Sequence, residues 1–398
     1  GIHYKICLYF VFSFYIYLNT YVVIQLRMEV LKSIKDCHDF DSIKVVLSEL
    51  NLNVRKYDNL DLFLIKYHRD ADNMDNEDVQ KCRGLIANLK GDLVCLPPIK
   101  SMELIPFMDT LGDGETLETN VSIEEFVDGT MINLFYYGES WHISTRSNIG
   151  ANCRWYSKKH FSELFAESSS LDFETLDKET TYSFVLKHPE NRIVTAYSEP
   201  SITLVSARKI VDKVVVDCDI YQLNEKLNVA VPIKYEFDNL EDIIKYVQSQ
   251  DYQFQGVVLK NGMYRTKIIN SNYNYAKNLR GNSQNTKFLY FDLRQKQIVQ
   301  EYLRFFPEFR EMFESYNKEY LDLLNKIFHS YQNYHVKKQF KNIKDMDFVS
   351  RPFCYELHGE HIKNKIIVTR PFVLNYMNNV PPARIVFALN HRPAERAV

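Results

Sequence analysis

The sequence predicts an α+β protein: a body of antiparallel sheets with flanking helices, followed by an all-helical C-terminal domain. Three observations carry this. Strand-like runs joined by Gly-containing turns recur between residues 83 and 147. Apolar residues at helical spacing, with no hairpin signal, take over from about residue 286. The composition is that of a folded globular chain, 45% apolar and 25% charged over 398 residues.

The first segment stands apart. Residues 6–25 are almost uncharged and close to membrane-spanning length. They read either as a hydrophobic leader or as translation upstream of Met28, the first methionine. The second reading is preferred, because Glu29-Val-Leu-Lys-Ser-Ile opens ordinary amphipathic sequence directly after it. Residues 1–27 are therefore excluded from the fold, and no stable membrane association is expected of residues 28–398.

Val30, Leu31 and Ile34, then Ile43, Val46 and Leu47, space out short helices. Residues 57–70 read as a strand running into a turn. Residues 83–94 form a hairpin about Lys90-Gly91-Asp92, and residues 121–147 a second about Gly138-Glu139-Ser140. Strands follow at 182–186, 202–208 and 256–260. Leu303, Phe306, Phe309 and Phe313, then Leu321, Leu324 and Ile327, mark helices beyond. The expected domains are 28–285 and 286–398, without an internal repeat.

Several function classes drop out. Lys and Arg number 49 and Asp and Glu 51, a net charge of −2, so nucleic acid could be held only by a local basic groove. Seven cysteines with no Cys-x-x-Cys pair argue against a zinc site or a disulfide framework, and for thiols in a reducing compartment. No phosphate-cradling Gly-rich Lys-Ser/Thr loop and no Gly-x-Gly-x-x-Gly is present. His188, before Pro189, reads as a turn residue. His358 and His361 could share a helix face but lack a fixed set of metal-ligand partners, so no metal site is assigned.

The informative segment is Phe126-Val127-Asp128-Gly129-Thr130, at the start of the second hairpin. Asp-Gly alone is a common turn pair. Its weight comes from four collinear companions: Arg83-Gly84-Leu85-Ile86; Lys187-His188-Pro189-Glu190-Asn191-Arg192-Ile193-Val194; Gln255-Gly256-Val257-Val258-Leu259-Lys260; and Arg265-Thr266-Lys267. Together they resemble the covalent nucleotidyltransferase superfamily, phage-type RNA ligases in particular, and most closely the divergent ligase-like proteins of large DNA viruses. The resemblance covers about 80–285, and the helical tail looks like that of the viral branch. It implies an ATP-grasp-like nucleotidyltransferase core, ATP and Mg²⁺ as cofactors if the protein is active, RNA and a nucleoside triphosphate as partners, and the cytoplasm of a virus-infected cell as the setting.

In that family a Lys in a Lys-x-Asp-Gly motif attacks the α-phosphate of ATP, and the nucleotide passes to an RNA 5′-phosphate. Here Phe126 holds the position of that Lys, while Asp128 and Gly129 match. Val185 and Gln255 stand where the family has carboxylates. Arg146, Arg265 and Lys267 keep the phosphate-neutralising cations. Nucleotide binding is therefore expected of Gly129, Arg146, Gln255, Arg265 and Lys267, and RNA binding of Arg83, Lys100, Arg192 and Arg280. Catalysis, if retained, falls to Asp128 and to Lys187 as replacement nucleophile, since period-two alternation puts Lys187 on the strand face of Val185. Lys100 and Lys260 are further candidates. Tyr264, Tyr273 and Tyr275 could stack bases. Two other readings stay open: an inactive RNA- or nucleotide-binding module, and a viral scaffold whose helices recruit a partner.

Overall fold

The computed structural model describes residues 22–24, 29–37, 39–68, 70, 76–112, 116–211 and 214–391. Two compact units divide the chain, Gly1–Lys277 and Asn278–Val398. The expected boundary at 285/286 lies eight residues further on, at the start of the helix Thr286–Gln295. The reading of residues 1–27 falls outside the described residues except for 22–24.

In chain order the strands are β1 (Val22–Ile24), β2 (Leu52–Tyr57), β3 (Leu62–Tyr67), β4 (Arg83–Asn88), β5 (Leu93–Cys95), β6 (Ser122–Glu125) and β7 (Thr130–Tyr137). They continue with β8 (Ser140–Ser144), β9 (Thr180–Lys187), β10 (Ser201–Val211), β11 (Val214–Asp217), β12 (Lys234–Tyr235), β13 (Gly256–Asn261) and β14 (Tyr264–Ile269). Three antiparallel sheets result: β1-β11-β10-β9-β7-β8, β12-β6-β13-β14 and β2-β3-β4-β5. The α+β expectation holds, with an all-helical second unit.

Each sheet buries one face against short helices. Ile243 and Val247, four apart on the helix Leu240–Ser249, join Ile123, Val257, Leu259 and Ile268 under the four-stranded sheet of β12, β6, β13 and β14. Asn239 caps that helix, accepting from the Asp242 N–H at 2.9 Å. Phe161, Leu164 and Phe165 of the helix Phe161–Ser168 cover the six-stranded sheet. Val30, Leu31, Ile43 and Leu47 of the helices Glu29–Ser33 and Phe40–Glu49 cover the β2–β5 sheet.

One predicted element needs correction. Residues 57–70 were read as a strand entering a turn; the turn comes first, at 58–61, and β3 follows it as the partner of β2. The six described cysteines are all free thiols, and burial pushes Cys82 and Cys95 up to about 12. No helix among the described residues is long and apolar enough to cross a membrane.

In the second unit, Leu289, Phe291, Phe306, Phe313, Tyr320 and Leu324 head a core that also takes in Phe353, Leu357, Val373 and Met377. The longest helix there is Arg310–Tyr331.

Candidate nucleotide-binding cleft

Strand register decides which side chains meet. Glu124 and Lys267 both lie opposite Val258, and Lys260 lies opposite Arg265. Directly opposed residues share a sheet face, so Glu124, Lys260, Arg265 and Lys267 project together, away from the apolar core on the other face. Met131 and Val185, opposed on β7 and β9, supply the facing wall. Between the walls lies a cavity of about 230 Å³. Arg83 and Lys277 also line it.

Phe126 sits on the segment joining the two sheets, its N–H donating to the Gly256 carbonyl at 2.9 Å. Its ring lies 4.9 Å from the Lys267 ammonium. Two glycines permit the crossing. Gly129, at φ +150°, passes so close to β9 that an added Cβ would stand 2.4 Å from the Leu186 carbonyl oxygen. Gly256, at φ +138°, leaves 2.0 Å between such a Cβ and the Ile268 oxygen.

Asp128 is a fully employed carboxylate. One oxygen accepts from the Val194 and Thr195 N–H groups at 3.1 and 2.9 Å, the other from the Tyr273 hydroxyl at 2.7 Å. The Tyr197 hydroxyl donates to its backbone carbonyl at 2.9 Å. Asp128 thus ties the segment after β9 and the helix Ser271–Arg280 to the cleft floor. It organises the site through three accepted hydrogen bonds.

The electrostatics are one-sided. Arg83, Arg265, Lys267 and Lys277 make no ion pair among the described residues. Burial, then Arg83 and Arg208, lowers Arg265 to about 9. Burial, then Arg265, Arg83, Lys277 and Lys100, lowers Lys267 to about 7. Burial lowers Arg83 too. Lys260 differs: it pairs with Glu124 at 2.5 Å and donates to the Val205 carbonyl at 3.1 Å.

A magnesium ion usually takes one or two carboxylates and completes its shell with waters and substrate phosphates. Asp128 accepts three hydrogen bonds and Glu124 is paired, while Val185 offers no oxygen and Gln255 only an amide. Glu125 is the one remaining carboxylate among the lining residues.

No family model matches the chain. It is 23% identical over 295 residues to a putative bifunctional polynucleotide kinase/RNA ligase of Autographa californica nuclear polyhedrosis virus, across 69% of this chain and 42% of that protein. It is 26% identical over 258 residues to an immediate-early protein ICP-46 homolog of Invertebrate iridescent virus 3, across 60% and 55%. The chain is related to viral RNA ligase-like proteins. It spans about half the length of these relatives. A putative ATP-dependent DNA ligase from Aquifex aeolicus superposes with a TM-score of 0.41 at 13% identity, covering 74% of this chain and 80% of that one.

Of the residues singled out in the sequence, Arg83, Asp128, Gly129, Gln255, Arg265 and Lys267 line the cleft. The Gln255 side-chain oxygen is buried without a hydrogen-bond partner. Lys100 stands close enough to Lys267 to lower its proton affinity. Lys187 is not among the lining residues; its ammonium lies 5.4 Å from the Tyr197 ring centre, and burial lowers its pKa. Arg146 stacks on Tyr67 at 4.4 Å and donates to the Tyr67 carbonyl at 3.1 Å. Arg192 donates to the Val194 carbonyl at 2.8 Å. Arg280 belongs to the second unit, buried against Phe306 and Phe309. Tyr273, expected to stack a base, is 1% exposed and serves Asp128 instead.

Sequence reading passed over Lys277 and Glu125. The spacing of Lys277, four residues after Tyr273, was the available signal for a shared helix face. His188 accepts from the Glu190 N–H and contacts Glu167 at 3.0 Å, in a group whose two carboxylates also pair with Lys159. His358 stacks on His335 at 3.8 Å.

Proposed function

We propose that this chain binds a nucleoside triphosphate in the cleft between β6, β13, β14 and β7, β9, and engages RNA 5′-phosphate ends at the same place, as an RNA ligase-like nucleotidyltransferase of a virus-infected cell. One observation carries the reading: four cations, Arg83, Arg265, Lys267 and Lys277, converge on one cavity without carboxylate partners. Gathering like charges in a half-buried space is unfavourable unless an anion joins them. A triphosphate supplies several negative oxygens in a compact volume, and bidentate guanidinium groups match their geometry. ATP is the expected nucleotide. Magnesium would arrive on its phosphates, with Glu125, unpaired among the described residues, the carboxylate of the lining that could meet it. The cytoplasm suits six free thiols.

Phe126 favours a second reading, in which nucleotide and RNA are held without transfer, because a phenyl ring cannot form a phosphoramidate.

Equilibrium dialysis of ATP and GTP, and filter binding of 5′-phosphorylated against 5′-hydroxyl RNA, test the proposal. Binding is expected to weaken with salt and to fall in Arg265→Ala and Lys277→Ala. If nucleotide and RNA are both ignored at low ionic strength, the reading fails.

A further inference from the structure

We infer that Lys267 is the nucleophile of a covalent nucleotidyl-transfer step, in place of the residue lost at Phe126. This rests on the nucleotide-binding reading above and goes beyond it.

The inference follows from comparing the lysines around one cavity. A nucleophilic lysine must be a free amine, must be unpaired, and must reach the reacting phosphorus. Lys260 fails on pairing, held by Glu124 and the Val205 carbonyl. Lys187 fails on position, stacked on Tyr197 and outside the cavity lining. Lys277 lines the cavity from the helix Ser271–Arg280, against the ring of Tyr273. Lys267 and Lys277 are both unpaired among the described residues and line the cavity; what separates them is that Lys267 stands beside Phe126 and Lys277 beside Tyr273. Lys267 projects from β14 into the cavity, and its one close partner among the described residues is the Phe126 ring. The resemblance noted in the sequence implies that the family's attacking amine would stand at residue 126, and the Lys267 ammonium lies 4.9 Å from the centre of the Phe126 ring. The phenyl ring fills the vacated space and offers no hydrogen bond that would tie the amine down. Independently, in the nucleotide-free cleft burial and four neighbouring cations lower Lys267 to about 7, so the amine gives up its proton far more readily than an exposed lysine. The same cations would take up charge on the triphosphate.

The step balances without an added reactant. The neutral Lys267 amine attacks the α-phosphorus. A nitrogen–phosphorus bond forms, and the bond from the α-phosphorus to the bridging oxygen breaks. Pyrophosphate leaves with that electron pair, and the attacking nitrogen releases one proton to solvent. The product is a lysyl phosphoramidate carrying the nucleoside monophosphate.

The test uses the full chain with α-labelled ATP and, separately, α-labelled GTP, each with Mg²⁺. Denaturing electrophoresis detects the adduct, and peptide mass spectrometry locates it. Expected is an acid-labile, alkali-stable label on the peptide containing Lys267, lost to background in Lys267→Arg. Its rate of formation should rise with pH as the Lys267 amine loses its proton, with a midpoint above that of the empty cleft because the bound triphosphate favours the ammonium. Label on Lys187, Lys260 or Lys277 overturns the assignment. Nucleotide bound in dialysis but never transferred overturns it too, and leaves the binding reading standing. No bound nucleotide at all removes both. Peptide location keeps the result decisive even if Lys267→Arg binds nucleotide poorly.

Discussion

Lys267 is charged in the unfolded chain up to about 10.5, and in the fold only up to about 7. Between those values the unfolded state binds more protons, so stability of the native protein rises with pH across that window. Below about 7 both states are protonated, and the cost of burying the ammonium is felt in full. Lys267→Met removes the charge and keeps the length of the side chain. It should therefore stabilise the nucleotide-free protein, most strongly below about pH 7, with the gain shrinking toward 10.5. Urea midpoints of the two proteins across that range check this; a difference that does not change with pH would contradict it. The sequence assigned Lys267 to phosphate contact but could not show its burial. That depends on Arg83, Arg265 and Lys277 reaching the same cavity, from positions up to 194 residues apart (83 to 277). The hydrogen bonds of Asp128 were hidden for a related reason: its partners, Val194, Thr195 and Tyr273, lie 66 to 145 residues away.

At the level of elements, the crossing of residues 126–130 over β9 is the tightest joint in the cleft. Gly129→Ala would press a methyl group onto the Leu186 carbonyl and Val185 and would leave a residue with a Cβ at φ +150°. The expected cost is roughly 2–6 kcal/mol, from backbone strain and overpacking together. A thermal melt at or near the wild-type value would disprove the close approach. The hairpins at 83–95 and 130–144 were legible because Gly91 and Gly138 punctuate them. The β2–β3 turn was misplaced because it contains no glycine; Asp61 takes the left-handed conformation instead, at φ +52°. The helices Phe161–Ser168, Ile220–Leu227 and Leu240–Ser249 were not read at all. They run eight to ten residues and bury two or three apolar side chains each, too few turns for a helical period to emerge.

Across the whole molecule, each unit has its own core. That of the second unit draws every one of its fully buried members from Leu289 to Ala388. A fragment of residues 278–398 should accordingly fold alone, with a helical circular-dichroism spectrum and a cooperative thermal transition. A featureless, gradual loss of signal would show that it needs the first unit. The change from strand to helix was visible in the sequence, since apolar spacing shifts there from two to three or four residues. The net charge of −2 gave no hint of the cleft, because acidic residues elsewhere cancel its cations in any sum over the chain.

The gathering of Arg83, Arg265, Lys267 and Lys277 also bears on the choice of buffer. Inorganic phosphate, sulfate and pyrophosphate offer the same oxygens as a nucleotide tail, so any of them would occupy the cavity by mass action. A protein handled in phosphate-buffered saline would melt higher and take up ATP more weakly than the same protein in a chloride solution of equal ionic strength. Contaminating polyanions carried from the cell through purification would have the same effect.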